Sequence, residues 1–280
     1  MDKCEDETTE THQMDLAGLH NVLLMIARDF DDFCTSNEIT YYLMGGTALG
    51  AMRHGGFIPW DDDFDVFMDR KNYKKFLSLA PKKLNNDKYY FQAENTTEWP
   101  LFFSKLRLND TEYVERYEDL GKMHCGIYID IMCLYNSFSF KPLRYLQYLC
   151  AKTLSASALH KRGYNTKSVL KKVAIRCASI ANLPPLKKFL FRFVSCLDGR
   201  ETEVVGHFFG RAPFKRTSFL RASLGKPRLV KFNDIVLPVP SNVETYLTAR
   251  FGDKYMDPPS QKILNAYPSH LLRCNLGPYA

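Results

Sequence analysis

Asp61, Asp62, Asp63 and Asp65 place four carboxylates within five residues, in the segment Pro59-Trp60-Asp61-Asp62-Asp63-Phe64-Asp65-Val66-Phe67-Met68. Carboxylates this close repel one another, and a divalent cation is the usual means of offsetting the repulsion. Side chains alternate along a strand. A strand over residues 63–68 therefore puts Asp63 and Asp65 on one face, about 6.5–7 Å apart. Phe64, Val66 and Met68 then enter the core from the other face. All-oxygen ligands suit Mg2+ or Mn2+ over Zn2+. A calcium loop of the EF-hand type needs Gly after the third ligand and Glu at the twelfth position; Val66 and Asn72 stand there, so that pattern is excluded. A solvated acidic turn is the plain alternative, and the Trp60 and Phe64 neighbours argue against it.

Gly45-Gly46-Thr47 closes a short apolar run (39–44) and precedes a helical pattern (47–54). A strand that ends in glycines and opens a helix presents backbone N–H groups and the positive end of the helix dipole, which suits phosphate. Neither GxxxxGK[ST] nor GxGxxG is present there. A Gly-Gly turn alone is most often only a turn. Together with an Asp-x-Asp strand, it sets phosphate binding beside metal binding, the pairing that phosphoryl or nucleotidyl transfer requires.

Asp130 lies in the otherwise apolar run Gly126-Ile127-Tyr128-Ile129-Asp130-Ile131. An ionisable group in that setting is either paired or functional, and it is the candidate third carboxylate. Lys105 and Arg107 are two apart and share a strand face. They either clamp phosphate oxygens or form a solvent-facing basic pair. Arg53 and His54, ending the helix, either reach a phosphate or favour the helix C-terminus.

The elements that must position these groups follow from periodicity. Apolar residues at 19, 22, 23, 26, 30 and 33 predict a helix over Leu16–Asn37. Ile39–Met44 reads as a buried strand, Thr47–His54 as a helix opened by Thr47 and closed by Gly55-Gly56, and Asn72–Leu79 as a helix. Strands are expected at 89–93, 101–108, 126–134 and 235–239. Basic amphipathic helices are expected at 141–160 and 166–197. Ser241–Arg250 reads as a helix with a capping box, Ser241-x-x-Glu244, ended by Gly252. The mixture predicts an α/β or α+β core with a basic helical insertion.

The chain has 280 residues, a net charge of +7 and ordinary hydrophobic content, enough for one or two globular domains. No run long and apolar enough for a spanning helix occurs, and the acidic N-terminus is not a signal peptide. The eight cysteines show no CxxC pair and read as reduced, mostly core thiols. The expected compartment is the cytoplasm, with peripheral contact at the inner face of a membrane as an extension. Charge is uneven: residues 1–130 hold 14 Lys/Arg against 24 Asp/Glu, whereas 131–197 hold 12 Lys/Arg and no acid. Such a stretch implies a basic surface facing something anionic, or else a scaffold helix pair with solvated lysines.

The segment from Gly46-Thr47-Ala48-Leu49-Gly50 through Arg53-His54-Gly55-Gly56-Phe57-Ile58-Pro59-Trp60-Asp61-Asp62-Asp63-Phe64-Asp65 resembles the LicD family of phosphotransferases. Lys105-Leu106-Arg107, Gly126–Ile131, and Pro238-Val239-Pro240 through Pro258-Pro259 add to the resemblance. It spans about residues 40 to 260, and 136–230 carries no matching motif. One departure is Asn233 after Phe232, where the family often has an acidic residue.

The resemblance implies a nucleotidyltransferase-like fold of the DNA polymerase β type. The α+β mixed-sheet core would lie in 1–135, the basic helical region in 136–230, and the completing strand and helix in 231–280. It implies transfer of a phospho-alcohol such as phosphocholine from a CDP-activated donor to a sugar hydroxyl of a surface glycan, with release of CMP. Lipopolysaccharide, capsule and teichoic acid are acceptors of this kind, and a lipid can carry the glycan. By the same implication Asp63 and Asp65 are metal ligands for Mg2+ or Mn2+, and Asp130 is the third carboxylate or the base. Lys105, Arg107, Arg53 and His54 would face phosphate oxygens. Gly45, Gly46 and Thr47 would cradle the donor, with Asp61 and Asp62 in support. The alternatives are nucleotide transfer to a small alcohol or antibiotic with release of pyrophosphate, and a non-catalytic RNA-binding protein using the basic region. The last leaves the Asp cluster unexplained.

Overall fold

The first helix, α1 (Leu16–Ser36), follows the apolar spacing of its sequence, burying Leu19, Val22, Leu23, Ile26 and Phe30. The structure, a computed structural model, describes residues 16–115, 123–164, 166, 168–260 and 271–280. After α1 come β1 (Tyr42–Leu43), α2 (Gly45–His54), β2 (Asp65–Asp69), α3 (Arg70–Lys83), β3 (Tyr89–Gln92), β4 (Ser104–Leu108), β5 (Glu112–Glu115) and β6 (Tyr128–Ser137). Three helices follow, α4 (Lys141–Lys161), α5 (Val169–Ala178) and α6 (Pro184–Val194). The chain continues through β7 (Val204–Gly206), β8 (Ser218–Leu220), β9 (Arg228–Phe232), β10 (Ile235–Val239), α7 (Val243–Phe251) and β11 (Leu271–Asn275).

The fold is mixed α+β. Its main sheet runs β1-β2-β6-β4-β3, and the second half of the long strand β6 leaves this path to pair with β7, which pairs with β8. Strand β2 runs parallel to β6, whereas β1 pairs antiparallel with β2 and β4 antiparallel with β6. Phe64, Val66 and Met68 are buried as expected, and Ile129, Ile131 and Cys133 join them in the core. Each such apolar side chain contributes about 1.5–3 kcal/mol on leaving water.

Several boundaries differ from the sequence expectation for local reasons. Helix α2 starts at Gly45, not Thr47; its N-cap Met44 makes no side-chain cap, and Gly45 has φ +65°, open to glycine because it lacks a Cβ. Thr47 is free of capping because its hydroxyl accepts the Asp65 N–H at 2.8 Å. Strand β2 begins at Asp65 rather than Asp63. Helix α3 begins at Arg70 because Asp69 caps it, accepting the Asn72 N–H at 2.8 Å.

The expected helix over 166–197 is two helices with a 3-10 turn at Ser179–Asn182, because Pro184-Pro185 cannot continue a helix. The Ser241 capping box does not form. Asn242 caps α7, accepting the Thr245 N–H at 3.1 Å, and Glu244 pairs with Arg228 at 2.8 Å. Strands β5, β7, β8, β9 and β11 had no counterpart in the sequence reading. Cysteine placement also departs from it: of the seven cysteines among the described residues, Cys34 and Cys133 are buried, while Cys177 and Cys196 are exposed. Among the described residues no helix is long and apolar enough to cross a membrane.

Candidate active site

Three neighbouring strands set the site. In the register of β2 and β6, Asp65 stands opposite Asp130, and in that of β6 and β4, Lys105 stands opposite Asp130. Paired positions on adjacent strands lie about 4.8 Å apart and project to the same face. Asp65, Asp130 and Lys105 therefore form a row across the sheet. The row is anchored by its backbone, since the Asp130 N–H donates to the Phe64 carbonyl at 2.9 Å. The Lys105 ammonium lies 3.4 Å from Asp130 Oδ1, and the Asp130 side chain keeps 15% of its surface exposed.

The carboxylates hold protons tightly. Burial, then Asp130 and Asp61, push the Asp65 carboxyl up to about 8. Burial, then Asp65, Asp61 and Asp130, push Asp63 well above the carboxylate range, so Asp63 belongs to the group although it precedes the strand. Burial and Asp62 raise Asp61 to about 6. Asp130 is raised by burial, a shift that Lys105 opposes and Glu115 reinforces.

The N-terminus of α2 lies against these groups. A Cβ on Gly46 would stand 2.7 Å from Asp61 Oδ2, and one on Gly45 3.0 Å from Asp65 Oδ2. Glycine at both positions is what lets the carboxylates approach this end of the helix, whose dipole favours negative charge. The Gly45 N–H donates to the Tyr246 hydroxyl at 2.8 Å, which ties α7 to the same spot. Asp62 accepts from the Tyr113 hydroxyl at 2.8 Å, and the Asp61 carbonyl lies 2.7 Å from His20 Nε2.

The basic residues named from the sequence separate. Lys105 is buried beside Asp130, its ammonium 5.1 Å from the Trp99 ring centroid and close against the Tyr128 ring. Arg107 is fully buried and structural in its contacts: it donates to Gln92 Oε1 at 2.9 Å and to the Gly126 carbonyl at 3.0 Å. Neither residue is the solvent-facing pair that spacing alone permits. Arg53 and His54 sit at the opposite end of α2 from the carboxylates. Arg53 donates to the Tyr255 carbonyl at 3.1 Å, and its Nε lies 3.0 Å from His54 Nε2. The structure does not bring these two to Asp65 and Asp130.

Sequence reasoning missed Glu115, Tyr128, Tyr246 and Arg250. Glu115 accepts from the Tyr128 hydroxyl; burial works to raise its proton affinity, but Lys105, the Tyr128 bond and Arg162 together lower it. Arg250 is near enough to Asp65 to favour its charged form. The alternation in Glu112-Tyr113-Val114-Glu115 is a strand signal that could have exposed Glu115. Tyr246 and Arg250 are four apart on α7 and so share a helix face.

Asp63, Asp65 and Asp130 suit a hard divalent cation in chemistry: all donors are oxygen, and the buried Asp130 Oδ1 is faced by the Lys105 ammonium at 3.4 Å. Among the described residues no three acidic, His or Cys side chains are already arranged as a metal cage. Asp130 is turned toward Lys105 in this conformation, so a cation here would draw its ligands together.

A mixed sheet carrying an Asp–Asp–Lys row against a glycine-opened helix defines a candidate phosphate-handling site. Residues 38–152 match the family model described as LicD/FKTN/FKRP, nucleotidyltransferase domain. That segment resembles the LicD family. The chain is 50% identical over 58 residues to the lipopolysaccharide cholinephosphotransferase LicD of Haemophilus influenzae, covering 21% of this chain and 22% of the relative. An uncharacterized protein of Rickettsia prowazekii is 46% identical over 60 residues, 21% of this chain and 23% of the relative. The mannosyltransferase regulator 4 of Saccharomyces cerevisiae is 25% identical over 111 residues, 37% of this chain and 9% of the relative. The chain thus spans about a fifth of the length of the first two relatives it matches.

Proposed function

We propose that this chain transfers a phospho-alcohol, such as phosphocholine, from a CDP-activated donor to a sugar hydroxyl of a cell-surface glycan, and that CMP leaves. The family match and the cholinephosphotransferase activity named for the Haemophilus relative support the class of reaction. The observation that carries the reading is the row of Asp65, Asp130 and Lys105 against the N-terminus of α2. In this proposal the core is nucleotidyltransferase-like.

The acceptor oxygen bonds to the phosphorus that bears the alcohol, and the bond from that phosphorus to the CMP oxygen breaks. Asp130 accepts the hydroxyl proton, its carboxylate placed beside Asp65 by the strand register and beside the Lys105 ammonium at 3.4 Å. Lys105 holds Asp130 in place and offsets negative charge on the transferred group. The glycine-opened end of α2 and Arg250 add positive potential on the Asp65 side. Arg107 acts at one remove, fixing β4 through Gln92 and the Gly126 carbonyl. Mg2+ or Mn2+, held by Asp63, Asp65 and Asp130 when bound, would neutralise the diphosphate and the leaving CMP.

A panel of CDP-alcohols incubated with Mg2+ or Mn2+ and a glycan acceptor tests the reading. Metal-dependent CMP release that Asp130→Asn reduces by at least 100-fold is expected. The family description also names a nucleotidyltransferase domain, which favours nucleotide transfer as a second reading. Release of pyrophosphate from ATP or CTP, with no CMP from any CDP-alcohol, would replace the first reading by the second.

A further inference from the structure

Helix α5 buries none of its residues, yet its sequence is apolar on one side. Val169, Leu170, Val173 and Ile180 are 73%, 83%, 55% and 62% exposed. At 3.6 residues per turn, Val169, Leu170, Val173 and Cys177 fall within a sector of about 100°. Ile180, in the turn that follows, extends the stripe. Amphipathic helices of soluble domains normally turn such a stripe inward. Here α5 packs on α4, and its apolar stripe is left in solvent.

The charge around the stripe is one-sided. Lys171, Lys172 and Arg176 lie on the same helix, all exposed. No Asp or Glu occurs anywhere from residue 131 to 197. Aliphatic side chains read neither bases nor sugars, so the stripe is of no use to RNA, which is held through stacking aromatics and phosphate contacts. An exposed aliphatic stripe rimmed by cations and free of acids fits a bilayer boundary: the acyl region takes the stripe and anionic headgroups take the cations.

We propose that α5, with the turn at Ser179–Asn182, is a docking surface for an anionic lipid bilayer, lying in the plane of the headgroups. The helix lies on α4, whose C-terminal end brings Arg162 to 4.5 Å from the Trp99 ring centroid, beside Lys105. Docking would thus hold the candidate active site close to the membrane surface. The inference concerns binding alone and stands or falls apart from the transferase reading.

Sedimentation with vesicles tests it directly. The full chain is mixed with vesicles of equal parts phosphatidylglycerol and phosphatidylcholine, or of phosphatidylcholine alone. Binding to the anionic vesicles is expected, at least tenfold tighter than to the neutral ones. Lys171→Gln/Lys172→Gln/Arg176→Gln should weaken binding to anionic vesicles on the order of 100-fold. Leu170→Gln/Val173→Gln should weaken it at least tenfold, with unchanged circular dichroism because both positions are exposed. Equal sedimentation of wild type and both variants overturns the proposal, as does wild type left in the supernatant with either vesicle. A wild-type dimer by size exclusion that Leu170→Gln/Val173→Gln converts to monomer, without lipid binding, assigns the face to a second copy instead.

Discussion

Asp65 and Asp130 face each other across the parallel pair formed by β2 and β6, with the Asp130 N–H bonded to the carbonyl of Phe64 at 2.9 Å. All other strand pairs among the described residues are antiparallel. A parallel pair requires a long crossover, and here the crossover includes β4, which returns antiparallel along the other side of β6 and delivers Lys105 to the same row. Two half-buried acids are thereby brought side by side with one ammonium. The arrangement is poor for stability and useful for holding charge that a substrate or cation neutralises.

Replacing Asp65 by Asn should therefore stabilise the fold while removing function. The folded carboxyl is raised from 3.8 to about 8, so the folded state binds this proton more tightly than the unfolded state does. Its contribution is fully favourable below the unfolded value and is lost as the pH rises through about 8. Thermal denaturation without divalent cation should show Asp65→Asn more stable than wild type by roughly 1–3 kcal/mol at pH 8 and by much less at pH 5. Added Mg2+ or Mn2+ should raise the wild-type Tm, by mass action on the folded state, and leave that of the variant unchanged. An equal response of both proteins to the cation would remove Asp65 from the ligand set.

Much of this site was legible in the sequence, and the reasons it was not all legible are physical. The Asp-x-Asp run, the two glycines and the lone acid of an apolar strand are local patterns, and the structure brings Asp61, Asp63, Asp65, Asp130, Gly45 and Gly46 together. The alternation argument for Asp63 rested on a strand that starts two residues too late to include it, yet Asp63 lies near enough to Asp65 and Asp130 for both to raise its proton affinity. Lys105 and Arg107 look equivalent by spacing. They differ because Arg107 meets Gln92 and the Gly126 carbonyl, partners set by strand pairing. Strand β5 pairs with β11, far along the chain, and a four-residue strand with acidic ends gives little local signal without that partner. Asn233, the departure noted from sequence, is occupied locally: its Oδ1 accepts the Phe57 N–H at 3.3 Å and its N–H donates to the Gly55 carbonyl at 2.7 Å.

Glu94 supplies a pH test away from the carboxylate row. Burial raises its carboxyl from 4.5 to about 7, against the pull of Arg70 and a hydrogen bond from Tyr73, and its Oε2 has no hydrogen-bond partner. The folded state again holds the proton more tightly, so wild type loses this stability as the pH rises through about 7. Glu94→Gln removes the titration. The stability of the variant relative to wild type should increase by up to about 3 kcal/mol between pH 5 and pH 8. A difference that stays constant over that range in chemical denaturation would show that Glu94 is not raised.

Tyr246 should matter more than its distance in sequence from the aspartates implies. Its hydroxyl accepts the Gly45 N–H at 2.8 Å, a buried bond at the first residue of α2. Tyr246→Phe keeps the ring and leaves that N–H without its acceptor. The expected cost is about 1–3 kcal/mol in urea denaturation. Retention of wild-type stability would mean that Gly45 finds another partner at no cost.

Two glycines of α2 separate function from folding. A Cβ on Gly46 meets Asp61 Oδ2 at 2.7 Å, the far end of a side chain that can turn away. A Cβ on Gly50 meets the Gly56 carbonyl oxygen at 2.4 Å and the Ile58 nitrogen at 3.2 Å, backbone atoms that move only if the segment leading to Asp61 moves. Gly46→Ala should therefore cost less than about 1 kcal/mol while displacing Asp61 from the helix end, lowering any divalent-cation response of the Tm. Gly50→Ala should cost about 1–3 kcal/mol or more, as overpacking does in a tight interior. Calorimetry on both variants checks the order. A Gly46→Ala protein less stable than Gly50→Ala would mean that Asp61 is locked in place, and that its carboxylate at the N-terminus of α2 is a structural cap.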